Sequence, residues 1–259
     1  MMLRRVRVRE LARGRARLVL GQAAGQIAQL VALPFLTRSY LPAEFGLYQV
    51  ALAAAIVIQP VATLRNEFLI PLEMARERVR QRYVRSLALT AAIVAVALGV
   101  YVLVGGDPGA VSLMVAPILA GNAWSIIDNA RLIRLGAIRE LSRRNLLTGI
   151  ITAALQIAAA ALSAPIVMLG IVVLAARALA ILFTRVKVAE WPIGANASDQ
   201  FGASTRGGFS AVVAGVISNG TVYGLTLLTL AAFTADWIGQ VGIAQRIMGL
   251  ITNEGVAGV

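Results

Sequence analysis

The positive charges of this chain fall in every second gap between its long apolar segments, and that constrains its fold more than any other feature. The opening stretch MMLRRVRVRELARGRAR carries Arg4, Arg5, Arg7, Arg9, Arg13, Arg15 and Arg17. The next basic gap runs from Arg65 to Arg85 and includes Arg76, Arg78, Arg80 and Arg82. A third holds Arg131, Arg134, Arg139, Arg143 and Arg144, and a fourth holds Arg185, Lys187 and Arg206. The intervening gaps contain Arg38 and no Lys or Arg near Asp107, Ser163 or Asp236. Basic flanks stay on the cytoplasmic side during insertion. The alternation therefore predicts an integral membrane protein with a cytoplasmic N-terminus and helices that cross in turn.

Composition agrees. Hydrophobic residues make up 59% of the chain and the mean hydropathy is +0.80, against an apolar share of roughly 45–50% in soluble domains. The net charge of +12 raises nucleic acid as a partner. The charge lies in gaps that topology already explains, and no basic face with interleaved aromatics accompanies it, so no nucleic acid is expected. The lipid bilayer is the expected partner, with anionic lipids attracted at about 1 kcal/mol per nearby basic residue. There is no Cys and no His. That removes disulfides, thiolate nucleophiles, His-based triads and most transition-metal sites. The first apolar run, about Leu18 to Leu36, exceeds the ~7–15 residues of a signal peptide's apolar region, so it is expected to stay as a span.

Spans of about 20 apolar residues are expected near 17–37, 47–65, 86–104, 110–130, 146–164, 166–184, 209–232 and 237–256. The expected fold is thus all-α and polytopic, with about eight transmembrane helices. An open sheet cannot satisfy its backbone in lipid, and the alternating pattern of a membrane barrel is missing. GGDPG at 105–109 and Ser163–Pro165 read as outer turns of helical hairpins. Tyr40, Phe45, Tyr48, Tyr101 and Trp237 fall at expected outer edges, and Tyr83 and Trp191 at inner ones, as in an interfacial aromatic belt. The long gap RVKVAEWPIGANASDQFGASTRGG, residues 185–208, reads as a linker. Residues 1–184 would form a six-helix lobe behind a basic cytoplasmic N-terminus, and residues 209–259 the first helices of an incomplete second lobe. The ending ITNEGVAGV lacks a basic flank, and a fragment of a longer protein is expected.

Polar residues recur inside the spans at helical spacing. Gln22, Gln26 and Gln29 share one face of the first span; Asn122, Ser125 and Asn129 share one face of the fourth, with Asp128 beside them. Ser218, Asn219 and Tyr223 do so less regularly in the seventh. Two readings stand: a hydrophilic cavity between spans, or interhelical hydrogen bonds of about 0.6 kcal/mol each. Gly21 and Gly25 form a small-xxx-small pair, which reads as helix packing. Arg177 lies near the middle of the sixth span and Arg246 near the middle of the eighth. A mid-bilayer Arg costs roughly 2.5–3.5 kcal/mol on insertion scales and is a functional candidate by default; its fork suits phosphate oxygens. The alternative is a carboxylate partner inside the bundle. Asp128, Glu67 and Glu254 lie near inner span ends. Asp128 and Glu254 are candidates for ion coupling, while pairing with Arg131 or Arg65 is the simpler role for Asp128 and Glu67. No GxxxxGK[ST] loop, metal-ligand cluster or DxD-like acidic pair occurs. No enzyme and no cofactor is expected.

Residues 33–73, LPFLTRSYLPAEFGLYQVALAAAIVIQPVATLRNEFLIPLE, resemble the first two spans of the bacterial polysaccharide flippases, within the multidrug/oligosaccharidyl-lipid/polysaccharide exporter superfamily. LPAEFGLY, with Phe45 and Gly46, is similar to the family's LPxFG-like stretch. LRNEFLIPLE, with Arg65 and Glu67, is similar to its R-x-E-x-A-I, departing at Phe68 and Leu69. GVISNGTVYGLTLLTLAAFTADWIGQVGIAQRIMGL resembles the start of the family's second lobe. The resemblance implies flipping of undecaprenyl-pyrophosphate-linked oligosaccharide across the bacterial plasma membrane by alternating access, for exopolysaccharide, capsule or O-antigen assembly. Arg177 and Arg246 would then meet the pyrophosphate, and the Gln and Asn stripes the sugars. A polysaccharide polymerase or other assembly protein is a further partner it implies. Two alternatives remain: a drug or cation exporter of the same superfamily, whose members often need an embedded acid that the first span lacks here, and a non-transporting scaffold subunit of a polysaccharide assembly complex.

Overall fold

Proline and an acid set the start of the second helix. Pro42 occupies its first turn, where a missing N–H costs nothing. The Glu44 carboxylate reaches back to accept the Leu41 N–H at 3.0 Å. The LPAEFG stretch thus encodes a helix start. The computed structural model describes residues 2–73, 76–104, 109–184 and 205–232, together with Trp237, Gln240, Val241 and Ala244. The described residues are helical and contain no strand. The helices are α1 (Met2–Ser39), α2 (Pro42–Thr63), α3 (Asn66–Leu69), α4 (Arg76–Val104), α5 (Gly109–Arg134), α6 (Ile138–Ala161), α7 (Met168–Phe183) and α8 (Thr205–Ala232).

Four of them contain segments long and apolar enough to cross a membrane: Ala16–Ser39, Pro42–Thr63, Val111–Arg134 and Ile138–Ala161. α7 is equally apolar but shorter, at 16 residues. Large apolar side chains such as Leu20, Ile27, Phe35, Val96, Ile150, Phe183, Ile217 and Leu228 point outward, while Gln49, Asn122, Ser125, Asp128, Arg144 and Gln156 are buried. Apolar side chains that face outward, with polar ones kept inside beside an apolar core, suit lipid as solvent. The chain is therefore a helical membrane protein.

α5 is the central element and packs on α2, α4, α6 and α7. α1 lies almost wholly against α6, and α8 against α2. The apolar core gathers Leu33, Leu36, Phe45, Tyr48, Met114, Ile118, Leu169 and Val173. Close approach relies on glycine. A Cβ on Gly25 would stand 2.7 Å from the Asn145 carbonyl oxygen, and one on Gly149 would collide with the Gly25 backbone. The small-xxx-small pair is thus an intramolecular seam between α1 and α6, which run in the same direction. On α5 and α7, also parallel, a Cβ on Gly121 would stand 3.0 Å from the Leu174 Cα, and one on Gly170 3.0 Å from the Met114 Cα.

Two points depart from the expected layout. Much of the second and third basic gaps, expected between spans, is helix: α4 begins at Arg76 and α6 at Ile138. Arginine is a good helix former, so the hydrophobic boundary does not end the helix. The short segment between α2 and α4 is structured as well. Leu64 and Arg65 both adopt left-handed backbone, with φ of 51° and 52°, and turn the chain into α3. The turn at Ser163 is present, with φ of 51°. Residues 105–108 and 185–204 lie outside the described residues, and so does most of the expected eighth span.

Candidate functional site

The α5 stripe builds two polar layers inside the bundle. The lower layer centres on Asp128. Its Oδ2 accepts an ion pair from Arg144 Nη1 at 2.6 Å, and its Oδ1 faces Arg131 Nη1 at 3.4 Å. Arg144 also donates from Nε to Thr184 Oγ1 at 2.8 Å and from Nη1 to Asn129 Oδ1 at 3.3 Å. Tyr83 Oη approaches Asp128 Oδ1 at 3.5 Å. Burial, and then the Asp128 carboxylate, push the Tyr83 hydroxyl above its ordinary value. Helices α4, α5, α6 and the end of α7 meet here. Arg144 is 2% exposed, and the cluster holds one more cation than anions.

The upper layer lies about 10 Å away, since Gly121 and Arg177 each stand seven residues before Asp128 and Thr184. The Arg177 Cδ lies 3.3 Å from where a Gly121 Cβ would be, so the missing side chain makes room for the arginine stem. Its Nε is buried and has no hydrogen-bond partner among the described residues. Among the described residues Arg177 forms no ion pair. The Tyr48 hydroxyl lies within its electrostatic reach and accepts from Gln156 Nε2 at 3.2 Å. Asn122 Oδ1, Gln156 Oε1 and Gln49 Nε2 are likewise buried without partners among the described residues. Each such atom costs roughly 1–3 kcal/mol unless something else satisfies it. Beside Arg177 on α7, the neighbouring helices thus carry open acceptors on Asn122 of α5 and Gln156 of α6, and α2 carries an open donor on Gln49.

The expected site residues divide accordingly. Asn122 and Ser125 are buried in the upper part of α5, and Asn129 and Asp128 belong to the lower layer. Asp128 pairs with Arg131 as anticipated, and also with Arg144. Gln22 is exposed and Gln26 and Gln29 are half-buried on α1, with no side-chain hydrogen bond among the described residues; the structure does not join them to the α5 stripe. Phe45 and Gly46 are buried in α2. Arg65 pairs with Glu67 at 3.5 Å, stacks on Phe68 with its Cζ 4.9 Å from the ring centroid, and donates to the Ala211 carbonyl of α8 at 3.4 Å. Neighbouring Asn66 donates to Ser86 Oγ at 2.8 Å and ties α3 to α4. On α8, Asn219 donates to the Ile56 carbonyl at 2.8 Å, so this member of the third stripe is a helix-packing contact. Arg246 and Glu254 lie outside the described residues.

Sequence reasoning missed Arg144, Thr184, Tyr48, Gln49 and Gln156 as interior polar groups. Gln156 was visible as a lone amide in an apolar run. Arg144 was not, because it sits among arginines that topology assigns to a gap. Comparison with protein families, with characterised proteins and with solved structures finds no match to this chain. Fold and site define a class: a helical membrane protein that holds, among the described residues, a guanidinium without a carboxylate partner about two helical turns from a buried ion-pair cluster.

Proposed function

We propose that this protein moves a polyprenyl-pyrophosphate-linked oligosaccharide from the inner to the outer leaflet of a bacterial plasma membrane by alternating access. The observation that carries the reading is Arg177: an arginine on α7 with a buried, unpaired Nε and, among the described residues, no carboxylate partner. Such a group is costly to insert and is retained where it meets an anion. A pyrophosphate supplies paired oxygens that match the fork. Sugar hydroxyls suit the open amide atoms of Asn122, Gln156 and Gln49. The resemblance of LPAEFGLY and LRNEFLIPLE to the polysaccharide flippases points the same way. In this reading eight spans begin from a cytoplasmic N-terminus. The first six form one lobe, and alternation of the basic gaps supports the orientation.

Complementation of a flippase-deficient strain tests it. Arg177→Ala is expected to abolish export while the protein stays in the membrane, and Arg177→Lys to keep part of the activity, because charge survives but bidentate geometry does not. Normal export by Arg177→Ala would remove the cationic site from the mechanism.

A further inference from the structure

At the charged end of the α1–α6 seam an open groove of about 320 Å³ runs along the two helices. Its rim carries Arg17, Arg139 and Arg143, all exposed. Its floor is apolar, formed by Leu20, Ala24 and Leu146. Arg17 and Arg139 have no carboxylate within ion-pair distance among the described residues, and Arg143 faces only Glu140, at 3.9 Å. Gly21 and Ser142 fix the spacing. The Ser142 hydroxyl donates to the Arg17 carbonyl at 2.6 Å, and any Cβ on Gly21 would strike Ser142. The groove lies where the apolar segments Ala16–Ser39 and Ile138–Ala161 both begin, which is headgroup depth in a bilayer.

We infer that this groove is a binding site for one anionic phospholipid, its phosphate held by Arg17, Arg139 and Arg143 and an acyl chain laid over Leu20, Ala24 and Leu146. Cations above an apolar floor match an amphiphile with a negative head. A free phosphate would leave the floor uncovered, and a zwitterionic lipid would leave the rim uncompensated. The site is separate from Arg177 and stands whatever the transported substrate is.

Native mass spectrometry of the purified full chain tests this with phosphatidylglycerol and phosphatidylcholine of identical acyl chains. One phosphatidylglycerol per chain is expected to persist at energies that strip phosphatidylcholine. The triple variant R17Q/R139Q/R143Q should weaken phosphatidylglycerol binding by about a hundredfold, from three basic residues at the usual attraction each. Ala24→Phe, which fills the floor and leaves every charge, should weaken it as well. The variant R78Q/R80Q/R85Q, which removes three exposed charges from α4, should bind as the parent does; circular dichroism checks that all variants keep their helices. Equal retention of the two lipids would overturn the inference. So would an equal loss in the α4 variant, which indicates a diffuse surface field. Displacement by inorganic phosphate with no effect of Ala24→Phe would leave an anion site without a lipid, and tighter binding of an acidic peptide than of phosphatidylglycerol would assign the groove to a protein partner; either result contradicts it.

Discussion

Asp128 faces two guanidiniums, and its pairing with Arg144 at 2.6 Å is almost wholly buried. Removing Arg144 takes away the nearest partner of Asp128 and leaves the longer contact to Arg131 at 3.4 Å; breaking a buried pair costs up to about 3–5 kcal/mol, whereas removing both partners costs less. Arg144→Ala should therefore sharply lower the thermal stability of the detergent-solubilised protein. The double variant Asp128→Asn with Arg144→Ala should recover part of the loss. If the double variant loses as much as the two single losses combined, the two groups act independently and the cluster is not a unit. The contrast with Arg177 was legible in part. An arginine inside an apolar run stands out in any hydropathy reading, and that singled out Arg177. Arg144 stands beside Arg143 at the edge of an apolar run, where linear sequence does not reveal how far a helix carries its basic end into the bundle. The acid at 128 showed its local partner, three residues on, but not its distant one.

Among the elements, α1 is held by shape. Gly21 and Gly25 on α1 and Gly149 on α6 let the two backbones touch, as small residues do where lipid removes the hydrophobic drive for association. Gly25→Leu should push α1 off α6 and destabilise the fold by about 1–3 kcal/mol, as overpacking does elsewhere. A melting temperature equal to the parent's would show that the seam yields without cost. The α2–α3 break is a second element-level device. Leu64 takes left-handed backbone at φ 51° with a side chain 41% exposed. Leu64→Gly removes a strain of about 1–2 kcal/mol and gives part of it back in unfolded-chain entropy. A small rise in melting temperature is expected, and a fall would assign the Leu64 side chain a packing role. The glycine seam was legible from spacing, as was the α5 stripe. The left-handed pair was not, because neither Leu64 nor Arg65 is a residue that advertises such a turn. The glutamine stripe of α1 was legible as a face but not in its destination: α1 packs on α6, away from Asn122.

For the whole molecule, hydropathy and the alternation of arginines were enough to give a helical membrane fold, because lipid admits so few backbone solutions. Which helices touch was not available, since apolar residues inside and outside a membrane bundle look alike in sequence. Orientation is open to a direct check. The chain has no cysteine, so single cysteines at Arg80 and Asp107 can be labelled in intact cells without background. The basic gap at 66–85 should be protected and Asp107 reactive from outside. Labelling of both from outside would end the topology.

The cationic site can be probed apart from topology and cellular assembly, by the affinity of the purified protein for a polyprenyl-pyrophosphate oligosaccharide in nanodiscs. The parent should bind this lipid more tightly than the same polyprenol without its pyrophosphate. Arg177→Ala should weaken the complex by about ten- to hundredfold, the share of one charge-assisted, bidentate contact of roughly 1.5–3 kcal/mol, while the lower cluster and helical content stay intact. Equal affinities of the parent and Arg177→Ala for the pyrophosphate lipid would contradict the proposed role of this arginine.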